Sequence, residues 1–435
     1  MFWVTLGVVS YLTKRQLGAE IISIDQAQEP LTFADLEGNL SQQPASEDAR
    51  TYYTEAFRNI RQEDLEKLPD ALAQVNTVYR TQMTDSPLGK FPAQLQRAVM
   101  QNLGAMRPVL ERLHQGALVP LSRFDLGIQQ GKRVYHTRLL RVRSGVYLLS
   151  LQTLDLIERD RGDAAASSAI ALLKLMRVFD THPILIAHTT KAGYLKLACQ
   201  DVELLLERCR LTEEALKKLQ ATLEGALTAY SLEKVFLSER IYQIELIRNL
   251  LPADITSRWL DSEVSDLPER LAVPATFWGR LRLRQKATQY LRDLDLLVAV
   301  ARRGWPEPLD ISGRGISQMA EEPGNLLSAG DAAIRLTAET HAIVRATLVA
   351  VAVKRYRERY GELPSGLHEL TPEYFSSLPL DPFSGKPLLF HGNTDMFTVY
   401  SVGANRENDN GSIGYESPGS NPLDLGISIR LANSA

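Results

Sequence analysis

From about Asp48 to Gly304 apolar residues recur at steps of three and four, and this long helical periodicity constrains the fold more than any other feature of the chain. Tyr52, Tyr53, Ala56, Phe57 and Ile60 form one stripe, which Leu65, Leu68, Leu72 and Val75 continue after Asp64. Leu95, Val99, Leu103, Met106 and Leu110 mark a second segment that Pro108 is placed to kink. A third holds Leu139, Val146, Leu149, Leu154 and Ile157 and stops at Gly162, where Asp163 is expected to N-cap the Ala-rich helix that follows. His182-Pro183 opens the next helix, through Leu195 to Leu206. Thr212 is an N-cap with Glu213 and Glu214 at the positive helix end, and that helix is expected to reach Leu250. Pro274 starts the last one, which Gly304-Trp305-Pro306 ends. With no alternating β-branched run in between, the pattern predicts an all-helical domain of helix pairs over residues 21–303.

The balance of charges excludes one class of partner. A net charge of -3 gives no general attraction to phosphate backbones, so nucleic-acid binding would require a local basic patch. Arg138, Arg141 and Arg143 form one cluster, and Arg280, Arg282, Arg284 and Lys286 another. Helical spacing spreads each over several faces and no aromatic ladder accompanies them, so both read as solvated surface and no nucleic-acid partner is expected. Cys199 and Cys209, ten residues apart on one helix, are about 15 Å from each other along its axis, too far for a disulfide. They read as buried thiols.

The first residues, MFWVTLGVVSYL, are apolar on every helical face and are followed by Lys14 and Arg15. A dozen residues are too few to span a bilayer. A shortened membrane anchor over residues 1–20, an interfacial helix and a first helix tucked into the core all fit the pattern.

Residues 304–330 hold five glycines and three prolines without a sustained period and read as a linker between two folding units. Beyond it, Asp331–Tyr360 is one long helix with apolar residues on several faces, including Ala338, Val344, Leu348 and Val351. Asp381-Pro382-Phe383-Ser384-Gly385 is a turn by mechanism: an aspartate acceptor, a proline fixing φ, and a glycine tolerant of positive φ. Leu388–Phe390 and Phe397–Tyr400 read as a hairpin across Gly392-Asn393-Thr394. The expected fold is therefore mainly α, with a helical-pair domain followed by a small α+β domain over 331–435.

The strings YGELPSGLHEL, LPLDPFSGKPL and YSVG, set behind the long apolar helix, resemble the C-terminal globular domain of the type II secretion major pseudopilin. The likeness covers roughly Asp331 to Leu425. The pilin N-terminal motif with its twenty apolar residues has no counterpart here: Pro30–Glu37 approximates it, but Gly38 and polar residues follow. The whole chain also resembles a family of large envelope-associated bacterial proteins of the planctomycete kind, in which a short hydrophobic anchor precedes a helical domain and a pseudopilin-like end. That resemblance implies an envelope location, membrane-associated or periplasmic, and supplies no activity. The pseudopilin likeness implies a calcium ion in the loop after YSVG, held here by Asn405, Asn408, Asp409 and Asp424. Calcium gains affinity from each carboxylate, so the two amides imply a weak site. An Asn/Asp/Gly-rich stretch is equally a polar turn.

A search for chemistry is spare. The seven histidines are scattered, and His182 and His188 lack the i, i+4 spacing of a metalloprotease helix. Gly313-Arg314-Gly315 lacks the Lys-Ser/Thr of a phosphate loop, and no GxSxG elbow occurs. Glu239-Arg240, mid-helix among apolar residues, reads as a buried ion pair. Three functions of different classes fit: a non-enzymatic envelope scaffold with protein partners, a component of a secretion or pilus-like assembly, and an enzyme whose site is assembled from distant helices.

Overall fold

Thirteen α-helices and a three-stranded antiparallel sheet make up the described residues of the computed structural model, so the fold is mainly α. The structure describes residues 2–37, 48–60, 93–120, 122, 124–127, 132–181, 183–228, 231–250, 277–311, 326–413 and 424–431. The stripe at Leu65–Val75, His182, Pro274 and Gly313-Arg314-Gly315 lie outside them.

The chain opens with α1 (Phe2–Gln26), α2 (Phe33–Glu37) and α3 (Arg50–Arg58). The segment expected to kink is two helices, α4 (Ala93–Ala105) and α5 (Arg107–Leu118). The break at Met106 puts Pro108 in the first turn of α5, where a missing N–H costs no helical bond. Next come α6 (Lys132–Glu158), α7 (Gly162–Leu175), α8 (Leu185–Arg208), α9 (Glu213–Thr228) and α10 (Leu232–Leu250). The single helix expected from Thr212 to Leu250 is thus divided, and Ser231 Oγ accepts the Lys234 N–H where it restarts. After α11 (Phe277–Ala301) and the short α12 (Glu307–Ile311), α13 (Leu326–Tyr360) leads to β1 (Leu389–Gly392), β2 (Met396–Ser401) and β3 (Leu425–Arg430).

Two helix starts are capped from elsewhere in the chain. Asp163 does not cap its own helix, whose N-cap position is Arg161. Its carboxylate instead accepts the Thr212 N–H at 3.0 Å and the Thr212 hydroxyl at 2.9 Å, while Thr212 Oγ1 accepts the Ala215 N–H. Thr212 is the expected N-cap, and Asp163 holds it from α7. The buried pair expected between Glu239 and Arg240 is absent too. Successive helical residues point about 100° apart, so each meets a different neighbour. Glu239 accepts the N–H of Leu185, the first residue of α8, at 3.1 Å. Arg240 forks between Asp295 at 2.7 Å and Glu29 at 3.0 Å.

Of the expected linker, residues 312–325 lie outside the described residues. The expected linker at 304–330 is partly helical, since α12 and the first turn of α13 fall in it. Gly330 lies inside α13, where a Cβ would come 2.5 Å from Leu297 Cδ1 of α11. Glycine is there for close helix packing. Along its length α13 packs on α8, α9 and α11 and, on the other side, on β2 and β3. Val142, Leu172 and Leu205 of the helical region share one buried core with Val349, Val351, Phe397 and Ile427. Within the described residues α13 is thus a spine shared by the helical region and the sheet. Among the described residues it is the one helix long and apolar enough to cross a membrane, and its apolar surface is spent on this core.

The hairpin forms as expected, with Leu389 opposite Tyr400 and His391 opposite Thr398. Strand β3, which was not anticipated, pairs antiparallel with β2 and turns Leu425, Ile427 and Ile429 inward.

Candidate functional site

Asp381 joins two of the three strings that carried the pseudopilin likeness, LPLDPFSGKPL and YSVG. Its side chain is buried and accepts four hydrogen bonds: from Phe383 N (2.9 Å) and Ser384 Oγ (3.0 Å) within the turn, and from Ser401 Oγ (2.7 Å) and Val402 N (3.2 Å) at the end of β2. Gly385 completes the turn with φ +70 and donates its N–H to the Asp381 carbonyl. The aspartate thus fixes where the chain leaves β2, and so where the following loop stands.

That loop gathers Asn405, Asn408 and Asp409, and Asp424 closes it from the start of β3. Several of their oxygens have protein donors. Asn405 Oδ1 accepts the Glu407 N–H, and Asn405 Nδ2 donates to Asp409 Oδ2 at 2.8 Å. Asn408 Oδ1 accepts the Tyr400 hydroxyl and the Asn410 N–H. Asp424 is fully buried; its Oδ2 accepts the Gly411 N–H at 2.8 Å, and Oδ1 has no donor. N–H groups face these oxygens where a calcium ion would need a shell of six to eight oxygens converging on one point. These bonds are those of an Asx-rich turn folded around Asp424. No group of three or more His, Cys, Asp or Glu among the described residues could hold a metal ion.

Asp424 also lines a cavity of about 130 Å³ at the seam of α8, α13 and β3, with Cys199, Glu203, Thr347 and Leu425. Burial raises the Asp424 pKa, and the Gly411 N–H opposes the rise. Burial pushes Glu203 up to about 7 despite the Ser428 N–H that its Oε1 accepts at 3.2 Å. The Cys199 thiol is pushed up to about 12, again by burial, so at neutral pH it is no nucleophile. Ligand pockets begin at roughly 300 Å³. This one has room for a few waters. Its chemistry is that of a strand edge capped by acids, since Glu203 receives a β3 N–H and Glu207 pairs with Arg430 at 3.4 Å. Cys199, Glu203 and Glu207 recur every fourth residue along one line of α8, and that stripe was the sequence signal for this seam.

Other buried polar groups are similarly committed. His188 Nε2 lies 2.8 Å from Thr337 Oγ1, whose own proton goes to the Ala333 carbonyl, so the histidine donates. Burial lowers its pKa to about 3, which keeps it neutral. Cys199 and Cys209 are free buried thiols, Cys209 lying just past the end of α8.

At the opposite end of the sequence, α1 packs on α10 and α11. Leu17 and Ile24 pack with Ile244, Ile247, Ala287 and Leu291 of α10 and α11. Glu20 pairs with Arg292, and Glu29, just beyond the helix, pairs with both Arg240 and Arg302. Toward the N-terminus the same helix exposes Val8 (50%), Tyr11 (64%) and Leu12 (47%). The second half of α1 is thus a surface helix seated by Leu17 and Ile24, and residues 8, 11 and 12 present apolar surface. Comparison with protein-family models, curated proteins and solved structures finds no match for the chain.

Proposed function

We propose that the protein is a non-enzymatic scaffold of the bacterial cell envelope, held at a membrane surface by the first half of α1 and offering its helical body to partner proteins. One observation carries this reading. A helix clamped at its far end by Glu20 and Glu29 leaves Val8, Tyr11 and Leu12 in solvent, a cost that burial in lipid would remove. The scaffold part draws support from the buried ionisable groups, which are spent on holding elements together: Glu239 caps α8, Asp381 joins turn to strand, and Glu203 caps β3.

Flotation of the full chain with lipid vesicles tests the membrane reading. Wild type should float, and Val8→Asp/Leu12→Asp should remain in the soluble fraction with unchanged circular dichroism. A wild type that stays soluble with every vesicle composition refutes it.

A second reading, a part in a secretion or pilus-like assembly, is favoured by one feature: Asp381 links DPFSG to YSVG, which belong to two of the strings of the pseudopilin likeness. The enclosure of α13 by α8, α9 and the sheet argues against polymerisation through that helix.

A further inference from the structure

We infer that α11 supplies a second membrane-docking element, so that the tips of α1 and α11 together form a site for an anionic lipid surface; this rests on the membrane reading above. The two helices run in parallel. Arg284 Nη1 donates to Ser10 Oγ at 3.0 Å, and further along Arg292 Nε donates to Glu20 Oε1 at 2.7 Å. Their N-terminal ends therefore lie at the same end of the molecule. Phe277 and Trp278 begin α11 with their rings in edge contact, and both are exposed, Trp278 at 59%. Trp278 precedes Arg284 by six residues, which places it about 9 Å beyond the Ser10 level toward the tip.

Charge is segregated in the same direction. Residues 1–19 and 277–292 contain no Asp or Glu, although the chain as a whole carries -3. Lys14, Arg15, Arg282 and Lys286 are exposed, and Arg280 and Arg284 are half-buried beside them. The first acids along the two helices, Glu20 and Asp293, come only at the level of the Glu20–Arg292 pair. From the tip inward the order is thus aromatic, apolar mixed with basic, basic, and then acidic. Tryptophan favours the headgroup level, and lysine and arginine favour anionic phosphates just outside it. An α-helical pair entering tip first to a depth of about 5–10 Å would bury Trp278 and Val8 and bring the basic residues against the headgroups. Charge complementarity selects anionic lipid over neutral lipid as the occupant.

The test is flotation of the full chain with vesicles of phosphatidylcholine alone and with about one-third phosphatidylglycerol, at low and high salt. Wild type should bind the anionic vesicles at least tenfold more tightly and lose that margin at high salt. Trp278→Ser and Arg282→Glu/Lys286→Glu should each weaken binding to anionic vesicles at least tenfold. Leu118→Ser, at an exposed apolar residue of α5, should bind as wild type does. Equal binding to both vesicle types overturns the assignment of anionic lipid. Wild-type affinity in both α11 variants, with Val8→Asp/Leu12→Asp failing to bind, overturns the role of α11 and leaves the α1 reading intact. No binding by wild type to either vesicle overturns both.

Discussion

Replacing Asp381 by alanine is the most direct way to ask whether the C-terminal sheet and the helical body are one cooperative unit. The substitution withdraws an acceptor from four donors. The hydroxyls of Ser384 and Ser401 can rotate toward other acceptors, but the N–H groups of Phe383 and Val402 are fixed in the backbone and their bonds to Asp381 are buried. Two buried unpaired donors cost about 1–3 kcal/mol each. Removing the carboxylate also removes its own desolvation cost, which places the expected loss in the lower half of that sum, about 3 kcal/mol. Asp381→Asn keeps one acceptor oxygen but turns an NH₂ toward either Val402 N–H or Phe383 N–H, so about half that loss is expected. Urea unfolding followed by far-UV circular dichroism, which reads the helices, and by tryptophan fluorescence measures both variants. Because α13 is shared, both probes should move together to lower urea in Asp381→Ala. A shift under about 0.5 kcal/mol would refute the hydrogen-bond argument, and a sheet transition separating from an unmoved helical one would refute the common spine.

Burial holds the Asp201 carboxyl at a pKa of about 8, so the folded chain keeps a proton that the unfolded chain releases above about pH 4. Its contribution to stability is complete below pH 4 and is lost as pH rises toward 8. Asp201→Asn should flatten this decline, whose slope approaches about 1.4 kcal/mol per pH unit, and parallel curves for variant and wild type would contradict it. Millimolar calcium should leave the melting temperature unchanged, because protein donors already meet Asn405 Oδ1, Asn408 Oδ1 and Asp409 Oδ2; a rise that Asp409→Ala abolishes would establish the cation site. Gly330→Leu should destabilise by about 1–3 kcal/mol through overpacking against Leu297 despite leucine's better helix propensity, whereas a neutral or stabilising effect would mean that this turn is a free linker after all.

What was legible in the sequence follows from the range of the interaction responsible. Helix existence, the Thr212 cap, the hairpin and the Asp381 turn depend on residues within a few positions of one another, and local patterns announce them. Asp163 and Glu239 look like local features too, yet their partners lie 49 and 54 residues away. Nothing in their own neighbourhoods distinguishes a cap for one helix from a cap for another. Gly330 was misleading for a different reason: glycine marks flexibility in a linker and close approach in a helix crossing, and only the packing of Leu297 decides between them. Strand β3 is short and follows a Pro/Gly/Ser-rich stretch, so its alternation of Leu425, Ile427 and Ile429 had little length in which to register. In the loop of Asn405, Asn408 and Asp409 the direction in which each N–H points is a property of backbone conformation that no residue list contains.

The position of α13 also bears on how the protein comes to be made. Its contacts reach far back along the chain: Thr337 meets His188 across 149 residues, and Ser428 meets Glu203 across 225. On a ribosome, α8 and α9 are therefore complete long before the helix that covers their apolar faces has been translated. Until roughly the last quarter of the chain emerges, the groove awaiting α13 is open to water and to other hydrophobic segments, and closing loops of this length slows the final docking. A truncation anywhere before α13 would leave that groove permanently uncovered, so the half-made protein is a natural client for chaperones and its C-terminal quarter is what releases it.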